Sequence, residues 1–162
     1  MDKLWAPWRI KYVTSKKNKG CIFCAALKSK NHPHVIFRSR HAFCILNIFP
    51  YNNGHVMIAP NKHVGDTAGL TDSELLDIFK SINTAKNIIH KALAPDGYNI
   101  GINISRHAGA GITGHIHIHI VPRWQGDTNF MPVVHNTKII SQSLKELEKK
   151  LKAAYAGSKA DK

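Results

Sequence analysis

The sequence predicts an α+β fold in which helices pack against one side of an antiparallel sheet. Three observations lead to this prediction. Short apolar segments of strand length are separated by turn residues, two longer segments repeat apolar residues at helical spacing, and the order is strands, helix, two strands, helix. The strands are joined by turns or by one long helix, which points to antiparallel pairing.

Local signals place the individual elements. Thr71 and Glu74 form a capping-box pattern at the start of the longer helix. Pro122 is expected to end the last strand, because proline cannot continue a central hydrogen-bond ladder. Residues 21–30 fit either a turn or a short helix. We expect strands at 35–37, 42–46, 55–59, 98–104 and 115–121, and helices at about 72–93 and 138–155.

Length and composition indicate one domain. A chain of 162 residues can bury a single core, and we expect this domain to span residues 1–156, with residues 1–20 as a basic N-terminal arm. Residues 157–162 have no apolar anchor and are expected to form a disordered tail. No apolar run approaches the roughly 18 residues of a membrane span, and no signal-peptide pattern opens the chain, so no membrane association is expected.

The formal net charge of +13 is concentrated towards the two ends. Residues 1–41 contain ten Lys or Arg against one acid, residues 42–137 contain six of each, and residues 138–162 contain seven against three. Basic arms can attract polyanions, including phosphorylated substrates. Because aromatic side chains interleaved with a repeated basic module are missing, a solubilising surface is favoured and specific nucleic-acid binding is not expected.

The most informative segment is His115-Ile116-His117-Ile118-His119-Ile120-Val121. Side chains on a strand alternate with a period of two, so this segment places three imidazoles on one face and isoleucines on the other. Histidine can act as a nucleophile, a proton carrier or a metal ligand near neutral pH. Gly109-Ala110-Gly111 precedes the segment and suits either a close backbone approach to phosphate or a flexible loop.

Three interpretations of these histidines compete. A solvated strand face is the least favoured, because such faces more often use Thr, Lys and Glu. His-x-His on a strand can place two imidazoles on one zinc ion. One histidine can also be a catalytic nucleophile whose tautomer is fixed by its neighbours. The spacing alone does not separate the last two interpretations.

Several motifs together resemble those of the histidine-triad nucleotide hydrolases and transferases. The sequence HIHIHIVPR at 115–123 is similar to the catalytic strand of that family, and NIFPYNNGHVMI at 47–58 is similar to its ribose-binding strand and Gly-His turn. LWAPWRIKY near the start and PRWQGDTNFMPV after the triad resemble a prokaryotic branch near the fragile-histidine-triad and diadenosine tetraphosphate phosphorylase proteins. The resemblance covers about residues 3–152. It implies a five-stranded antiparallel sheet with two helices, paired into a homodimer with a continuous sheet.

The resemblance also implies roles for individual residues. His117 would be the nucleophile that attacks an α-phosphorus, with its other ring nitrogen bonded to the backbone carbonyl of His115. His115 and His119 would orient the site and stabilise phosphate charge. Asn47 would bind ribose hydroxyls, although a strand-end turn residue is the alternative, and Asn103 is either a phosphate contact or an exposed strand residue. The full set of expected substrate-binding residues is Asn47, Asn103, Gly109, Gly111 and His55.

The activity that the resemblance implies is hydrolysis or nucleotidyl transfer on a dinucleoside polyphosphate, such as diadenosine tetraphosphate, through a covalent nucleotidyl-histidine. A phosphorylase with inorganic phosphate as acceptor, or an adenosine 5′-phosphoramidase, would use the same site. A nucleotide- or nucleic-acid-binding module without turnover is the most distant alternative. Gly111 departs from the family pattern, which often has Gln or Ser there to contact phosphate. Thr113 or a backbone amide would then have to substitute.

Cys21 and Cys24 provide a separate signal. Two thiolates at this spacing can chelate one zinc ion, but a complete site needs two further ligands. Some histidine-triad proteins complete it with a histidine after the Gly-His strand and with the first triad histidine, which match His63 and His115. The resemblance thus implies one structural zinc per chain and no cofactor for the chemistry; a reduced dithiol is the alternative. The odd cysteine count with a close pair favours a reducing compartment and hence a cytoplasmic protein, and Cys44 is expected in the core.

Overall fold

A computed structural model of the protein describes residues 20–128 and 140–160. The described residues contain three α-helices, and a 3₁₀ turn at Thr67–Gly69 precedes the second of them. The helices are α1 (Ile22–Lys28), α2 (Asp72–Leu93) and α3 (Leu144–Ala160). The strands are β1 (Val35–Arg38), β2 (Ala42–Leu46), β3 (Val56–Pro60), β4 (Gly97–Ile102) and β5 (Ile118–Arg123).

The five strands form one sheet in the order β1-β2-β3-β5-β4. Every neighbouring pair is antiparallel, which confirms the predicted α+β class with a five-stranded antiparallel sheet. β5 lies between β3 and β4, so the triad strand is internal. β4 is an edge strand.

The two central strands β2 and β3 are buried on both faces, because each face of the sheet supports a different cluster. The larger cluster lies under α2 and α3 and includes Cys44, Leu46, Val56, Ile58, Ile118 and Ile120. The smaller cluster lies under α1 and contains Phe23, Ala26, Phe43, Ile45, Met57 and Ala59. Alternate residues of each strand enter opposite clusters, as the two-residue period requires.

Helix α2 is fixed at both ends. The Thr71 hydroxyl oxygen accepts from the Glu74 N–H at 3.4 Å, and the Glu74 carboxylate accepts from the Thr71 N–H at 2.8 Å, which confirms the capping box. The helix ends at Ala94, which has a left-handed backbone with φ 44°. One turn into the helix, Asp77 accepts a hydrogen bond of 2.7 Å from the Ser39 hydroxyl, which ties α2 to the β1–β2 turn.

Pro122 lies inside β5 instead of ending it, contrary to the prediction. β3 pairs with β5 only from Ile118 to Ile120, whereas β4 pairs with it as far as Arg123. At Pro122 the strand therefore has one neighbour, and a residue without an N–H can be accommodated. The regular strand also begins later than predicted, at Ile118, so His115 to His117 lie just before it.

The helices differ from the prediction in two ways. Residues Ile22–Lys28 form a helix, and it lies on the opposite face of the sheet from α2 and α3, because its buried Phe23 and Ala26 pack on the smaller cluster. Helix α3 begins at Leu144 rather than 138, since Ser143 caps it by accepting from the Glu146 N–H at 3.3 Å.

The predicted tail is partly helical, because α3 continues through Ala160. Alanine and lysine, which favour helix, dominate this end of the sequence. Residues 161–162 and most of the predicted basic arm, residues 1–19, lie outside the described residues. Within residues 20–128 and 140–160, each helix is too short or too polar to cross a bilayer.

Candidate active site

The three triad histidines share one side of the segment that enters and begins β5. Ile118 and Ile120 point to the other side and belong to the core beneath α2 and α3. The alternation predicted from the sequence is therefore confirmed. His115 is fully buried, His117 is 5% exposed and His119 is partly buried, so the imidazoles lie in a recess with little water around them.

The protonation of His117 is fixed by a backbone group. Its Nδ1–H donates to the backbone carbonyl of His115 at 2.9 Å, and this confirms the predicted bond. A carbonyl only accepts, so the proton occupies Nδ1 and the lone pair occupies Nε2. Burial lowers the pKa of His117, which keeps the ring neutral at neutral pH. Nε2 is consequently available as a nucleophile.

A second chain of hydrogen bonds fixes His119. The Tyr51 N–H donates to Nδ1 of His55 at 3.0 Å, so the proton of the neutral His55 ring is on Nε2. That Nε2–H donates to Nδ1 of His119 at 2.9 Å. The proton of His119 is therefore on Nε2, and this group is free to donate to a ligand. His117 thus offers a lone pair at Nε2, while His119 offers a proton at Nε2.

Burial favours the neutral forms of this pair. Burial, with a smaller contribution from His119 and His117, lowers the pKa of His55 to about 3. Burial together with the neighbouring His117 lowers the pKa of His119 to about 4. Both rings are accordingly uncharged at neutral pH, and the direction of each hydrogen bond is determined by the backbone N–H of Tyr51.

Two aromatic residues that sequence reasoning missed form walls of the recess. The ring of Phe23 is fully buried and lies 5.0 Å from the His115 ring and 4.9 Å from the His117 ring, centroid to centroid. The ring of Tyr51, which is 54% exposed, lies 4.7 Å from His55 and 5.6 Å from His119. The available sequence signals were weak: Phe23 lies between the two cysteines, and Tyr51 lies in the turn before Gly54.

The Gly-His turn requires its glycine. Gly54 has φ +78°, and a Cβ there would lie 2.7 Å from Cδ1 of Leu93 and 2.9 Å from Cγ of Pro122. Both the backbone conformation and the close packing exclude a larger residue. This turn delivers His55, which is fully buried, to its bond with His119.

A second cluster forms around His115. It contains Cys21, Cys24, His63 and His115. The Cys21 sulfur lies 3.3 Å from Nδ1 of His115, and the Cys24 sulfur lies 3.3 Å from Nδ1 of His63. All four potential ligand atoms lie within 4.8 Å of one another. Residues separated by up to 94 positions are thus brought together as the sequence resemblance implied.

This geometry fits a tetrahedral zinc ion. Typical Zn–S and Zn–N bonds at tetrahedral angles separate sulfur and nitrogen by about 3.6 Å. The Nε2–H of His115 donates to the Pro60 carbonyl at 2.8 Å, which leaves Nδ1 as an acceptor directed at Cys21. A ligating histidine usually has such a carbonyl partner on its second nitrogen. Two thiolates and two imidazoles are also the donor set that zinc prefers.

Asn47 lies next to His55 at the end of β2. Its side-chain oxygen accepts from the Phe49 N–H at 2.9 Å, and its amide nitrogen lies 3.3 Å from Nδ1 of His55. Asn47 therefore does act as a strand-end turn residue in this structure. Its position beside His55 places it at the predicted substrate recess, and its role on ribose hydroxyls stays a prediction.

Asn103, Gly109 and Gly111 lie in the loop between β4 and the triad. A Cβ at Gly109, whose φ is +90°, would lie 3.8 Å from the Asn103 side-chain nitrogen, so these two residues are neighbours. The Gly109 N–H donates to the Arg106 carbonyl at 3.1 Å and the next N–H, of Ala110, also bonds within the loop. Gly111 is exposed. Phosphate contacts from Asn103, Gly109 and Gly111 stay predictions.

The sheet, the triad and the Gly-His turn together define a histidine-triad protein. The HIT domain family model matches residues 28–126, and the chain belongs to the HIT family. This finding agrees with the family resemblance of the sequence motifs.

Individual relatives extend the comparison. The chain is 30% identical to an AP-4-A phosphorylase of Mycobacterium tuberculosis over 96% of its own length and 85% of the relative. It is 32% identical to the asymmetrical bis(5′-nucleosyl)-tetraphosphatase of Schizosaccharomyces pombe, over 63% of this chain and 56% of that protein. A zinc-bound histidine-triad protein from Mycobacterium smegmatis has a similar fold, with a TM-score of 0.71, 24% identity, and coverage of 88% of this chain and 98% of that one.

Proposed function

We propose that the protein is a nucleotide hydrolase or nucleotidyltransferase that cleaves dinucleoside polyphosphates at an α-phosphate through a nucleotidyl-His117 intermediate. The observation that carries the proposal is the fixed tautomer of His117, which leaves a neutral, buried Nε2 with its lone pair available. The names of two enzyme relatives, AP-4-A phosphorylase and bis(5′-nucleosyl)-tetraphosphatase, support the substrate class.

The first chemical step is a displacement at the α-phosphorus. The lone pair of His117 Nε2 forms a P–N bond while the bond from phosphorus to the bridging oxygen breaks, and the departing nucleoside polyphosphate keeps the electron pair. This leaving group is a weak base at neutral pH and needs little proton assistance. As the P–N bond forms, the His117 ring gains positive charge, which the His115 carbonyl on Nδ1–H stabilises.

His119 would stabilise the charge on the phosphate oxygens. Its Nε2–H is a fixed donor because His55 occupies its Nδ1. In a buried recess such a preorganised donor is more effective than water, since it does not have to reorient during the reaction. A water molecule would then attack the same phosphorus, break the P–N bond, release a nucleoside monophosphate and lose its proton to solvent.

The test replaces the nucleophile. His117→Ala is expected to lower turnover of diadenosine tetraphosphate by at least about 10³-fold, because the covalent route is lost, while nucleotide binding stays measurable. His90→Ala, at an exposed histidine on α2, is the matched control and should be unchanged. Turnover by His117→Ala within threefold of wild type would exclude the proposed nucleophile.

The covalent route has its own measurement. Two successive in-line displacements retain the configuration of a chiral α-thiophosphate, whereas direct attack by water inverts it. Retention, together with a nucleotidyl adduct on His117 in mass spectra after an acid-free quench, is the expected result. Inversion at phosphorus would exclude the intermediate even if His117 proved essential.

A second candidate is phosphorolysis, in which inorganic phosphate replaces water. The observation that favours it is the AP-4-A phosphorylase relative, which aligns over 96% of this chain against 63% for the tetraphosphatase. With diadenosine tetraphosphate, water gives AMP and ATP, whereas phosphate gives ADP and ATP. Product analysis with and without phosphate therefore identifies the acceptor.

We also propose that the protein is a homodimer paired through β4. This edge strand exposes Ile100 (44%) and Ile102 (42%), and Ile104 just beyond it is 38% exposed. An edge strand with such apolar residues is a site for pairing with another chain. Ile102→Lys should convert a dimer into a monomer in light scattering, and Leu76→Lys, on the exposed face of α2, is the control that should leave the mass unchanged.

We also propose a structural zinc site and a cytoplasmic location. The four-residue cluster would bind one structural zinc per chain through Cys21, Cys24, His63 and His115, which supports the fold rather than the phosphoryl chemistry. The three cysteines are free thiols, and the close pair suits a reducing compartment, so we propose a cytoplasmic protein.

A further inference from the structure

Helix α1 is short, and its position depends on its contacts with the rest of the protein. It has seven residues, and its N-cap Cys21 makes no side-chain capping bond. A helix of this length is not stable in isolation. At its far end, the Arg38 guanidinium donates to the carbonyls of Ala26 and Ser29 at 2.8 and 2.9 Å. Its buried Phe23 and Ala26 pack on the smaller cluster, and at its near end Cys21 and Cys24 belong to the candidate metal cluster.

Phe23 connects this helix to the nucleophile. It lies between the two cysteines in sequence, is fully buried, and contacts the rings of both His115 and His117. The Nδ1–H bond of His117 restrains one edge of the imidazole but leaves its plane able to tilt. The Phe23 ring packs against the His117 ring with the centroids 4.9 Å apart and an interplanar angle of 38°. The His119 ring also contacts the His117 ring, with the centroids 4.9 Å apart and an angle of 70°. The two neighbours together restrict the tilt.

We propose that Phe23 is a positioning residue that couples the zinc-bound position of α1 to the orientation of His117. This inference rests on the proposed function of His117. The direction of Nε2 decides whether its lone pair points at the α-phosphorus, and small misalignments of a reacting group reduce rates strongly. Zinc ligation fixes the start of α1, α1 fixes Phe23, and Phe23 fixes the plane of the imidazole.

Phe43 provides a matched control from the same cluster. Its ring packs edge-on against Phe23 at 6.3 Å, and it is equally buried. It lies on β2, which is held in the sheet by pairing on both sides, and not on α1. Phe43 also faces the Arg38 guanidinium, 6.0 Å from its ring centroid. Its substitution removes apolar volume from the same cluster without removing the ring that touches His117, so it is the control for loss of packing.

The experiment compares Phe23→Leu with Phe43→Leu. Both variants should retain one zinc per chain in elemental analysis and lose similar thermal stability. Phe23→Leu should lower kcat about tenfold with KM within twofold, whereas Phe43→Leu should keep kcat within twofold of wild type. Proton–nitrogen NMR spectra of the His117 ring should show the Nδ1–H form in wild type and Phe43→Leu, and line broadening or a tautomer mixture in Phe23→Leu.

Zinc removal tests the coupling. Stripping wild type with a chelator should reproduce both the kcat loss and the His117 spectrum of Phe23→Leu, and stripping Phe23→Leu should lower kcat by less than a further twofold. Independent, multiplicative losses would overturn the coupling, as would wild type purified without zinc. An unchanged His117 spectrum in Phe23→Leu would overturn the positioning role.

If Phe23→Leu does not fold, Phe23→Met, which fills a similar volume without an aromatic face, replaces it with the same expectations. If no dinucleoside polyphosphate is turned over by wild type, the proposed function fails, but the NMR comparison still decides whether Phe23 and zinc orient His117.

Discussion

His55 donates its Nε2–H to Nδ1 of His119 across 2.9 Å, and the backbone N–H of Tyr51 sets the direction of that bond by occupying the other nitrogen of His55 at 3.0 Å. The consequence is a His119 ring whose only proton faces the recess. The adjacent His117 has the opposite arrangement, with its proton directed at a carbonyl and its lone pair free. These two neighbouring imidazoles thus differ in which ring nitrogen carries the proton, and backbone groups determine the difference.

Loss of the His55 donor should impair the chemical step. In His55→Phe a ring of similar size fills the fully buried position, but Nδ1 of His119 loses its donor and the ring can take either tautomer. We expect kcat to fall about 10- to 100-fold with little change in KM, because only a transition-state interaction is weakened. Steady-state kinetics on diadenosine tetraphosphate measures the effect.

His55→Gln is the control for that prediction. A glutamine amide can place a donor near the position of Nε2, so this variant should recover a substantial part of the lost kcat. If His55→Phe keeps kcat within twofold of wild type, the hydrogen bond to His119 has no role in the reaction.

Stability should fall in mildly acidic solution because of the same two rings. Their pKa values are lowered to about 3 for His55 and about 4 for His119, so below pH 6.5 the unfolded chain binds protons that the folded chain does not. The stabilisation is therefore complete above about pH 6.5 and is lost as the pH falls towards 4. Urea unfolding between pH 7.5 and 4.5 measures it.

Acid also releases zinc, and this lowers stability independently of His55. Comparing the pH dependence of the free energy of unfolding between wild type and His55→Gln separates the two effects. Each depressed imidazole contributes a slope of at most about 1.4 kcal/mol per pH unit, so the variant should lose stability less steeply by up to that amount. Equal slopes for wild type and variant would show that His55 titrates normally in the folded protein.

The sequence could predict the triad because a strand has a strict two-residue period. Alternation of His and Ile over 115–120 places the rings on one face whatever the neighbouring strands do, and Ile118 and Ile120 do enter the core. The end of β5 was not predictable in the same way. The acceptability of Pro122 depends on where β3 stops pairing, at Val56 opposite Ile120, and this is a property of the register and not of the local sequence.

The metal cluster and the aromatic walls of the recess show a second limit of prediction from sequence. Local spacing indicated Cys21 and Cys24, but only a resemblance identified His115, 94 residues away, because long-range contacts leave no local period. Phe23 and Tyr51 had only weak sequence signals. A buried phenylalanine on a short helix looks like any core residue until the sheet places a histidine against it.

Zinc should contribute directly to folding stability. Cys21→Ser removes one of the four proposed ligands, so the purified variant should contain less than one zinc per chain, with a loss of about 2–5 kcal/mol in the free energy of unfolding. Cys44→Ala is the control, because that thiol is buried in the other cluster. It should lose about 1 kcal/mol while retaining full zinc. Equal zinc content in both variants would exclude Cys21 as a ligand.

Substitution of Gly65 should destabilise the protein for steric reasons alone. A Cβ at this position would lie 2.7 Å from the Thr113 backbone oxygen, and neither partner is a flexible side chain. The neighbouring Val64 carbonyl accepts from the Ile116 N–H at 2.7 Å, so the segment that carries His63 runs directly against the chain that enters the triad. An added methyl group would push these two backbones apart at the point where His63 and His115 approach each other.

Gly65→Ala should therefore lower the free energy of unfolding by about 1–3 kcal/mol and weaken zinc affinity, since the two histidine ligands move apart. Gly97→Ala is the matched control, because a Cβ there meets no atom within 4 Å. It should leave both quantities within about 0.5 kcal/mol of wild type. Competition with a zinc-binding dye and thermal unfolding measure the two effects. If Gly65→Ala loses stability but retains wild-type zinc affinity, the 63–65 segment does not set the position of His63. If both variants match wild type, the close approach to Thr113 is relieved at no cost.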